Sequence, residues 1–373
     1  MVLSPQVPST TTAVVVRKSN GESSKGYVYD AVLEHMPLRK LNSGEILVKM
    51  RAVAFNHRDV WIRKGLYPSI QDGAVYGADG AGVVVASGDS QDDMMLNQRV
   101  FLLPSHGWDD HPDAPESQFG VIGGVRWPAL GTFAVYVIVE KDNIVPSAPH
   151  LSDIDMAAWP VAGITAWRAT MVNAAVQPGQ NILITGIGGG VALVALQLAV
   201  AQGASVYVTS GHQEKIDKAI ELGAKGGAGY KDANWPKEIH KLVRKNSPAG
   251  FPAMLDAVVD SGGGDIMASI GSILKQGGRV VCYGMTANPK VTFTMREVLR
   301  NQKLIGSTMG STQDLRDATK FLSKHKIIPV VSQVVYGLEN AEKGFEMLES
   351  GMQFGKVVIE IGNDDNRIAK TKL

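Results

Sequence analysis

Cysteine is nearly missing from this chain: Cys282 is the only one in 373 residues. That excludes an intrachain disulfide and any cysteine-built zinc cluster. Net charge is missing too, with 37 Lys and Arg against 36 Asp and Glu, so no electrostatic case exists for nucleic acid or an anionic membrane as partner. No apolar run is long enough to span a bilayer. Residues 1–19 lack the apolar core of a secretory signal and hold too few arginines for a transit peptide, so a cytoplasmic protein is expected. The closing Thr371-Lys372-Leu373 is kin to the S-K-L peroxisomal address, with Thr in place of Ser. Internal repeats and low-complexity linkers are absent as well. What remains is a chain of 45% hydrophobic residues and mean hydropathy +0.00, which suits a globular protein with a full core. Its length allows about two domains.

The most informative stretch is residues 181–211, NILITGIGGGVALVALQLAVAQGASVYVTSG. It reads as an apolar strand, a glycine turn, a helix and a second apolar strand, the βαβ unit that holds phosphate. Small residues at Gly186, Gly188, Gly189 and Gly190 leave no side chain between the helix N-terminus and a pyrophosphate, whose charge the free N–H groups and the helix dipole can hold. Val191 lies at the same turn, and Ala192 keeps the helix close to the sheet. The spelling departs from G-x-G-x-x-G/A, because Ile187 takes the place of the first glycine. Where the second strand ends, a dinucleotide fold that binds the adenosine ribose hydroxyls presents an acidic residue. This chain presents Ser210, followed by Gly211, His212 and Lys215. A hydroxyl and a positive charge there suit the extra phosphate of NADP(H). The alternative for Lys215 is the solvated face of the next helix.

Strands are expected next at 227–230, 253–260, 278–284 and 303–309, with helices near 213–222, 235–245, 265–274 and 296–301. Such alternation predicts a parallel, doubly wound sheet with its ligand at the carboxyl ends of the strands. Those ends carry Asp260-Ser261-Gly262-Gly263, Tyr283-Gly284-Met285-Thr286 and Met309-Gly310-Ser311. Small and polar residues at three ends of one edge point to a cofactor groove. Residues 13–150 are different, with short β-type runs broken by Gly, Pro and Asp, and read as a mainly β domain with a long surface loop over 103–130. After the sixth strand come helices at 312–324 and 341–350, and a last strand at 355–361.

Taken together, FNHRDVWIRKGLYP (55–68), YGADGAGVVV (76–85), WPVAGITAWRA (159–169), the glycine turn with its following QLA, VVDSGGG (258–264), GGRVVCYG (277–284), GSTMGS (306–311) and QFGKVVI (353–359) resemble the medium-chain dehydrogenase/reductase superfamily over nearly the whole chain. The likeness is to its zinc-independent quinone oxidoreductase-like branch, with the last two blocks most like members labelled zinc-type alcohol dehydrogenase-like. The resemblance implies an α/β protein: a GroES-like, mainly β catalytic domain with an inserted doubly wound Rossmann domain, and an active site in the cleft between them. The expected parts are 1–155, 156–311 and a C-terminal 312–373 that returns to the catalytic domain. A homodimer or homotetramer acting on a small carbonyl, enone or quinone is implied as well.

Zinc-dependent relatives place a cysteine where this chain has Asn56 and a G-H-E triplet where it has Gly77-Ala78-Asp79. Their third ligand falls near 159–163, which holds no ligand-type side chain, and the loop over 106–127 replaces their four-cysteine lobe. No metal is therefore expected. Without one, Asn56 is the candidate donor to a developing oxyanion and Tyr67 the candidate proton donor, although Tyr67 also reads as packing. Arg58 and Asp59 read as a cap or ion pair. The resemblance further implies Thr165 near the nicotinamide ribose and Gly189 to Ala192 at the pyrophosphate. It puts Ser210, Lys215 and Tyr230 at the adenosine end, and Ser261, Gly262, Tyr283, Gly284, Met285, Met309, Gly310 and Ser311 along the groove. The expected activity is NADPH-dependent hydride transfer to a quinone, enone or related carbonyl. Its alternatives are a metal-free alcohol or carbonyl dehydrogenase and a non-catalytic NADPH-binding protein.

Overall fold

β-branched residues dominate the first strand, as suits a pleated, half-buried element. In the computed structural model, which describes residues 7–21, 26–89, 92–247 and 253–362, β1 (Thr10–Lys18) pairs antiparallel with β2 (Tyr29–Pro37). The middle of β1, Ala13 to Val16, is buried while its ends are not. β3 (Glu45–Ala54) leads into α1 (His57–Arg63), and β4 (Asp79–Ser87), β5 (Arg99–Leu102), β6 (Ser105–His106), β7 (Gly120–Val121), β8 (Tyr136–Glu140) and β9 (Ile144–Pro146) follow. Then come α2 (Asp153–Ala157) and α3 (Pro160–Trp167).

The doubly wound part follows. β10 (Asn181–Ile184), α4 (Gly190–Ala201), β11 (Ser205–Ser210), α5 (Gln213–Glu221), β12 (Gly226–Gly229), α6 (Trp235–Asn246), β13 (Leu255–Asp260), β14 (Gly263–Gly264), α7 (Ile266–Ile270), β15 (Leu274–Cys282), β16 (Asn288–Val291), α8 (Met295–Leu299) and β17 (Lys303–Gly306) run in that order. The chain closes with α9 (Thr312–His325), β18 (Val331–Tyr336), α10 (Ala341–Ser350) and β19 (Lys356–Glu360).

The chain divides into two compact units. The first comprises Met1–Val161, Ser311–Arg316 and Val331–Leu373, the second Ala162–Gly310 and Asp317–Val330. In the first, the sheet order is β18-β19-β3-β4-β5-β9, with β8 also on β3. Its core is aromatic at the centre: the Phe55 ring meets Phe133 at 4.8 Å and Phe345 at 5.0 Å, both edge-on. In the second, the order β12-β11-β10-β13-β15-β17 is parallel throughout. The order reverses beside β10, where an open α/β sheet leaves its crevice. α4 is apolar on nearly every side and buried accordingly.

Three expectations change. The helix expected over 265–274 is only α7, because Leu274 already pairs with Leu255 in the sheet. The sixth strand ends at Gly306, and Met309 turns into the left-handed region at φ 44°. The C-terminal part does not return whole to the first unit, since residues 317–330 belong to the second. There the Phe321 ring meets Trp167 at 5.6 Å, and the Ile328 carbonyl accepts from Gln197 Nε2 at 2.7 Å. Residues 371–373, with their address-like spelling, lie outside the described residues. Among the described residues no helix is long and apolar enough to cross a membrane.

Candidate active site

In the second unit the glycine turn takes a shape that glycine alone adopts without strain. Gly188 has φ 128°, and a Cβ there would stand 2.9 Å from Cδ of Lys215. At Gly189 a Cβ would meet nothing within 4 Å, so the space before the turn is open. Gly189 is the N-cap of α4, and its carbonyl accepts the first helical bond, from Leu193 N–H at 3.0 Å. The N–H groups of Gly190, Val191 and Ala192 therefore face out of the helix end, as the first turn's donors do. This is a fit for a pyrophosphate.

The adenosine-end candidates are brought together. Lys215 lies along Gly188 rather than on the solvated face of α5, and burial pushes its pKa down. Ser210 is buried, and its hydroxyl accepts from the His212 N–H at 3.2 Å. Tyr230 is exposed, with its hydroxyl 2.8 Å from where a Cβ on Gly211 would stand, and Cε of Lys231 lies 3.2 Å from the same point.

The loops after β13 and β15 also meet. Asp260 Oδ1 accepts from Thr185 Oγ1 at 2.6 Å, and its Oδ2 accepts from Gly263 N–H at 2.7 Å. This fixes Ser261 and Gly262 beneath the second loop, where Thr286 N–H donates to the Ser261 carbonyl at 3.0 Å and Ala287 N–H to that of Gly262 at 3.1 Å. Tyr283 and Gly284 run through that contact, and Met285 is exposed beside it. Burial and the Asp260 carboxylate push the Cys282 thiol up to about 12, so it stays protonated. Thr165 is buried, donating its hydroxyl to the Met309 sulfur at 3.6 Å. Ser311 belongs to the first unit, and its hydroxyl and amide are engaged in capping α9 through Asp314, each at 3.0 Å.

In the first unit, β3 delivers Asn56 to the start of α1 as its N-cap. Asp59 closes the cap by accepting from the Asn56 backbone N–H at 2.7 Å, and stands 3.6 Å from the Arg58 guanidinium. The cap and the ion pair expected from the sequence are both present. Burial raises the Asp59 carboxyl to about 6, with Arg58 opposing the shift, and its Oδ1 has no hydrogen-bond partner. Arg58 donates to the carbonyls of Ile122 at 2.8 Å and Gly123 at 2.9 Å, and its guanidinium lies 4.5 Å from the centre of the Tyr67 ring. Among the described residues the Tyr67 hydroxyl makes no hydrogen bond.

The Asn56 side chain is held on two sides. Its Nδ2 donates to Asp79 Oδ2 at 2.9 Å, and its Oδ1 accepts from the Lys356 ammonium at 2.7 Å. Lys356 also donates to Asp79 Oδ2 at 2.7 Å, and Asp79 Oδ1 accepts from the Val161 N–H at 2.8 Å. A Cβ on Gly77 (φ 91°) would run into the Phe133 ring at 2.1 Å; glycine lets the turn carry Ala78 and Asp79 inward. Sequence reasoning missed Lys356 and the role of Asp79. The signal was a lysine opening the otherwise apolar run KVVI of β19 and an aspartate inside GADGAGVVV. Among the described residues no group of three or more His, Cys, Asp or Glu is arranged to hold a metal ion.

Two family models match: the alcohol dehydrogenase GroES-like domain over residues 42–150 and the zinc-binding dehydrogenase over 190–324. The chain is 42% identical over 329 residues to a zinc-type alcohol dehydrogenase-like protein of Leptosphaeria maculans, covering 85% of this chain and 90% of that one. A protein of the same description from Schizosaccharomyces pombe is 31% identical over 331 residues, covering 87% and 92%. The solved structure of an NAD-dependent alcohol dehydrogenase matches with TM-score 0.80 at 30% identity, over 94% of this chain and 100% of that one. A GroES-like first unit, a Rossmann second unit and full-length relatives at this identity lead to one conclusion: the chain belongs to the medium-chain dehydrogenase/reductase superfamily of oxidoreductases.

Proposed function

We propose that this oxidoreductase uses NADPH and delivers hydride, without a metal, to a quinone, an enone or a related carbonyl. One observation carries the reading above all. The Asn56 amide is clamped by Asp79 and Lys356, and among the described residues its second N–H has no acceptor. An amide N–H left over in a half-buried position is suited to the negative charge that develops on a carbonyl or enolate oxygen. An ammonium seated against Asn56 and Asp79 is itself the cation of this cluster.

When bound, the nicotinamide supplies the hydride. The rest is done by the chain's own backbone and side-chain groups. The first turn of α4 binds pyrophosphate, and Lys215 with Ser210 and Tyr230 favours a 2′-phosphate, no carboxylate standing at the end of β11 to repel it. Asn56 holds the oxyanion, and the Tyr67 hydroxyl gives the proton. Ser261, Gly262, Tyr283, Gly284, Met285, Met309 and Gly310 line the cofactor's course in the second unit. The protein works as a homodimer or homotetramer.

A second reading is a metal-free alcohol or carbonyl dehydrogenase, which the likeness to an NAD-dependent alcohol dehydrogenase favours. Turnover of quinones, enones, aldehydes and alcohols with each nicotinamide, beside the affinity for each, tests both. Preferred reduction of enones or quinones with NADPH is expected. Turnover of alcohols with NAD alone selects the second reading, and tight NADPH binding with no turnover overturns both.

A further inference from the structure

The orientation of a side-chain amide is a choice between two states, and here the neighbours make it. A lysine ammonium can only donate and an ionised carboxylate can only accept. Lys356 Nζ sits 2.7 Å from Asn56 Oδ1, and Asp79 Oδ2 sits 2.9 Å from Asn56 Nδ2. Turning the amide over would set its N–H groups against the ammonium and its oxygen against the carboxylate. Both contacts would become repulsive in a site from which Lys356 and Asp79 are nearly shut off from water. The cation and anion are themselves tied by their own contact at 2.7 Å, and Asp79 is anchored a second time by the Val161 N–H at 2.8 Å.

We infer that Lys356, acting with Asp79, is a positioning residue: it locks the Asn56 amide in the one orientation that leaves a single N–H, fixed in direction, for the substrate oxygen. This rests on the proposed role of Asn56 and adds what enforces it. Preorganisation of this kind has a kinetic signature, because an aimed donor costs nothing to reorient as charge develops. A locked amide therefore acts on turnover and leaves cofactor binding alone.

The informative variant is the double substitution Asp79→Asn with Lys356→Gln. It removes both charges together and leaves no buried charge unpaired. The amide that replaces the Asp79 carboxylate still accepts from the Val161 N–H through its carbonyl, so its NH2 takes the place of the carboxylate oxygen beside Asn56. The amide that replaces the Lys356 ammonium can donate or accept, so neither neighbour holds the Asn56 amide in its parent orientation. Lys356→Gln alone keeps half of the lock, since Asp79 still accepts. The double variant should lose roughly tenfold or more of kcat, with KM for NADPH unchanged, and the single variant less. Adding Asn56→Ala to the double variant should cost nothing further, because the same donor has already been lost.

A second readout needs no turnover. In ¹⁵N-labelled protein the Asn56 side-chain proton pair, assigned by its disappearance in Asn56→Ala, should show two well-separated signals, one hydrogen-bonded to a carboxylate. In the double variant the separation should collapse. Signals unchanged in a folded double variant would overturn the lock, as would losses that multiply with Asn56→Ala. A parent protein inactive on every carbonyl, enone and quinone, but with the separated signals, would leave the lock standing and remove the proposed function instead.

Discussion

Lys356 and Asp79 form an ion pair at 2.7 Å with both side chains buried, joining the start of β19 to the start of β4. A buried pair of this kind adds little net stability while intact, yet breaking it is costly because the surviving charge has no water. Asp79→Ala also strips the acceptor from the Val161 N–H. It should destabilise the protein by about 3–5 kcal/mol in denaturant unfolding. Asp79→Asn keeps an acceptor for Val161 and should cost less. A loss under about 1 kcal/mol for Asp79→Ala, the value of an exposed pair, would show that water reaches the cluster.

Asp59 gives a pH signature. Its carboxyl is raised to about 6 by burial, so the folded state holds its proton more tightly than the unfolded state does. Stability from this group is full below pH 4 and is lost as pH rises through 6. Asp59→Asn keeps an acceptor for the Asn56 N–H and has no proton to lose. Its stability relative to the parent should therefore climb between pH 4 and 7, by about 3 kcal/mol at most for a shift near two units. A difference that stays flat across that window would mean Asp59 titrates normally.

The Rossmann half was legible because its signals are local. A strand, a glycine turn and an apolar helix occupy neighbouring residues, and the parallel order follows from their alternation. Boundaries failed where tertiary pairing competed with local pattern: Leu274 reads as the end of a helix, but its partner Leu255 draws it into β15. Asn56 and Tyr67 were also readable as polar residues in one motif. Lys356 was not, because its partners lie far away in the chain, 300 residues from it at Asn56 and 277 at Asp79. No periodicity reports such a contact. Lys215 was read for its charge, but its course along Gly188 depends on how α5 packs.

Cofactor choice should respond to Lys215 in two separable ways. Lys215→Met keeps an apolar stem beside Gly188 and removes only the ammonium, so NADPH binding should weaken by roughly 1–3 kcal/mol and NADH binding should barely change. Gly188→Ala puts a methyl 2.9 Å from the Lys215 Cδ at a φ of 128°. That displaces the lysine and strains the turn, so both nicotinamides should bind less well. Titration of each variant with both cofactors checks this. Equal losses for the two cofactors in Lys215→Met would show that the ammonium does not meet the 2′-phosphate.

Tyr67 can be separated from its packing. Its ring lies over the Arg58 guanidinium, 4.5 Å from Cζ to the ring centre, and Arg58 in turn ties down the carbonyls of Ile122 and Gly123. Tyr67→Phe keeps the ring on the cation and removes only the hydroxyl. Melting should be unchanged while turnover falls by about a hundredfold, the typical effect of a lost general acid. Arg58→Lys should do the reverse in part, because a lysine cannot span those carbonyls or stack as a plane. A stability loss of roughly 1–3 kcal/mol is expected from the unpaired carbonyls, with a smaller fall in turnover as the ring loses its support. If Tyr67→Phe retains the parent's turnover on its best substrate across pH, the hydroxyl gives no proton and Tyr67 serves only to cover Arg58.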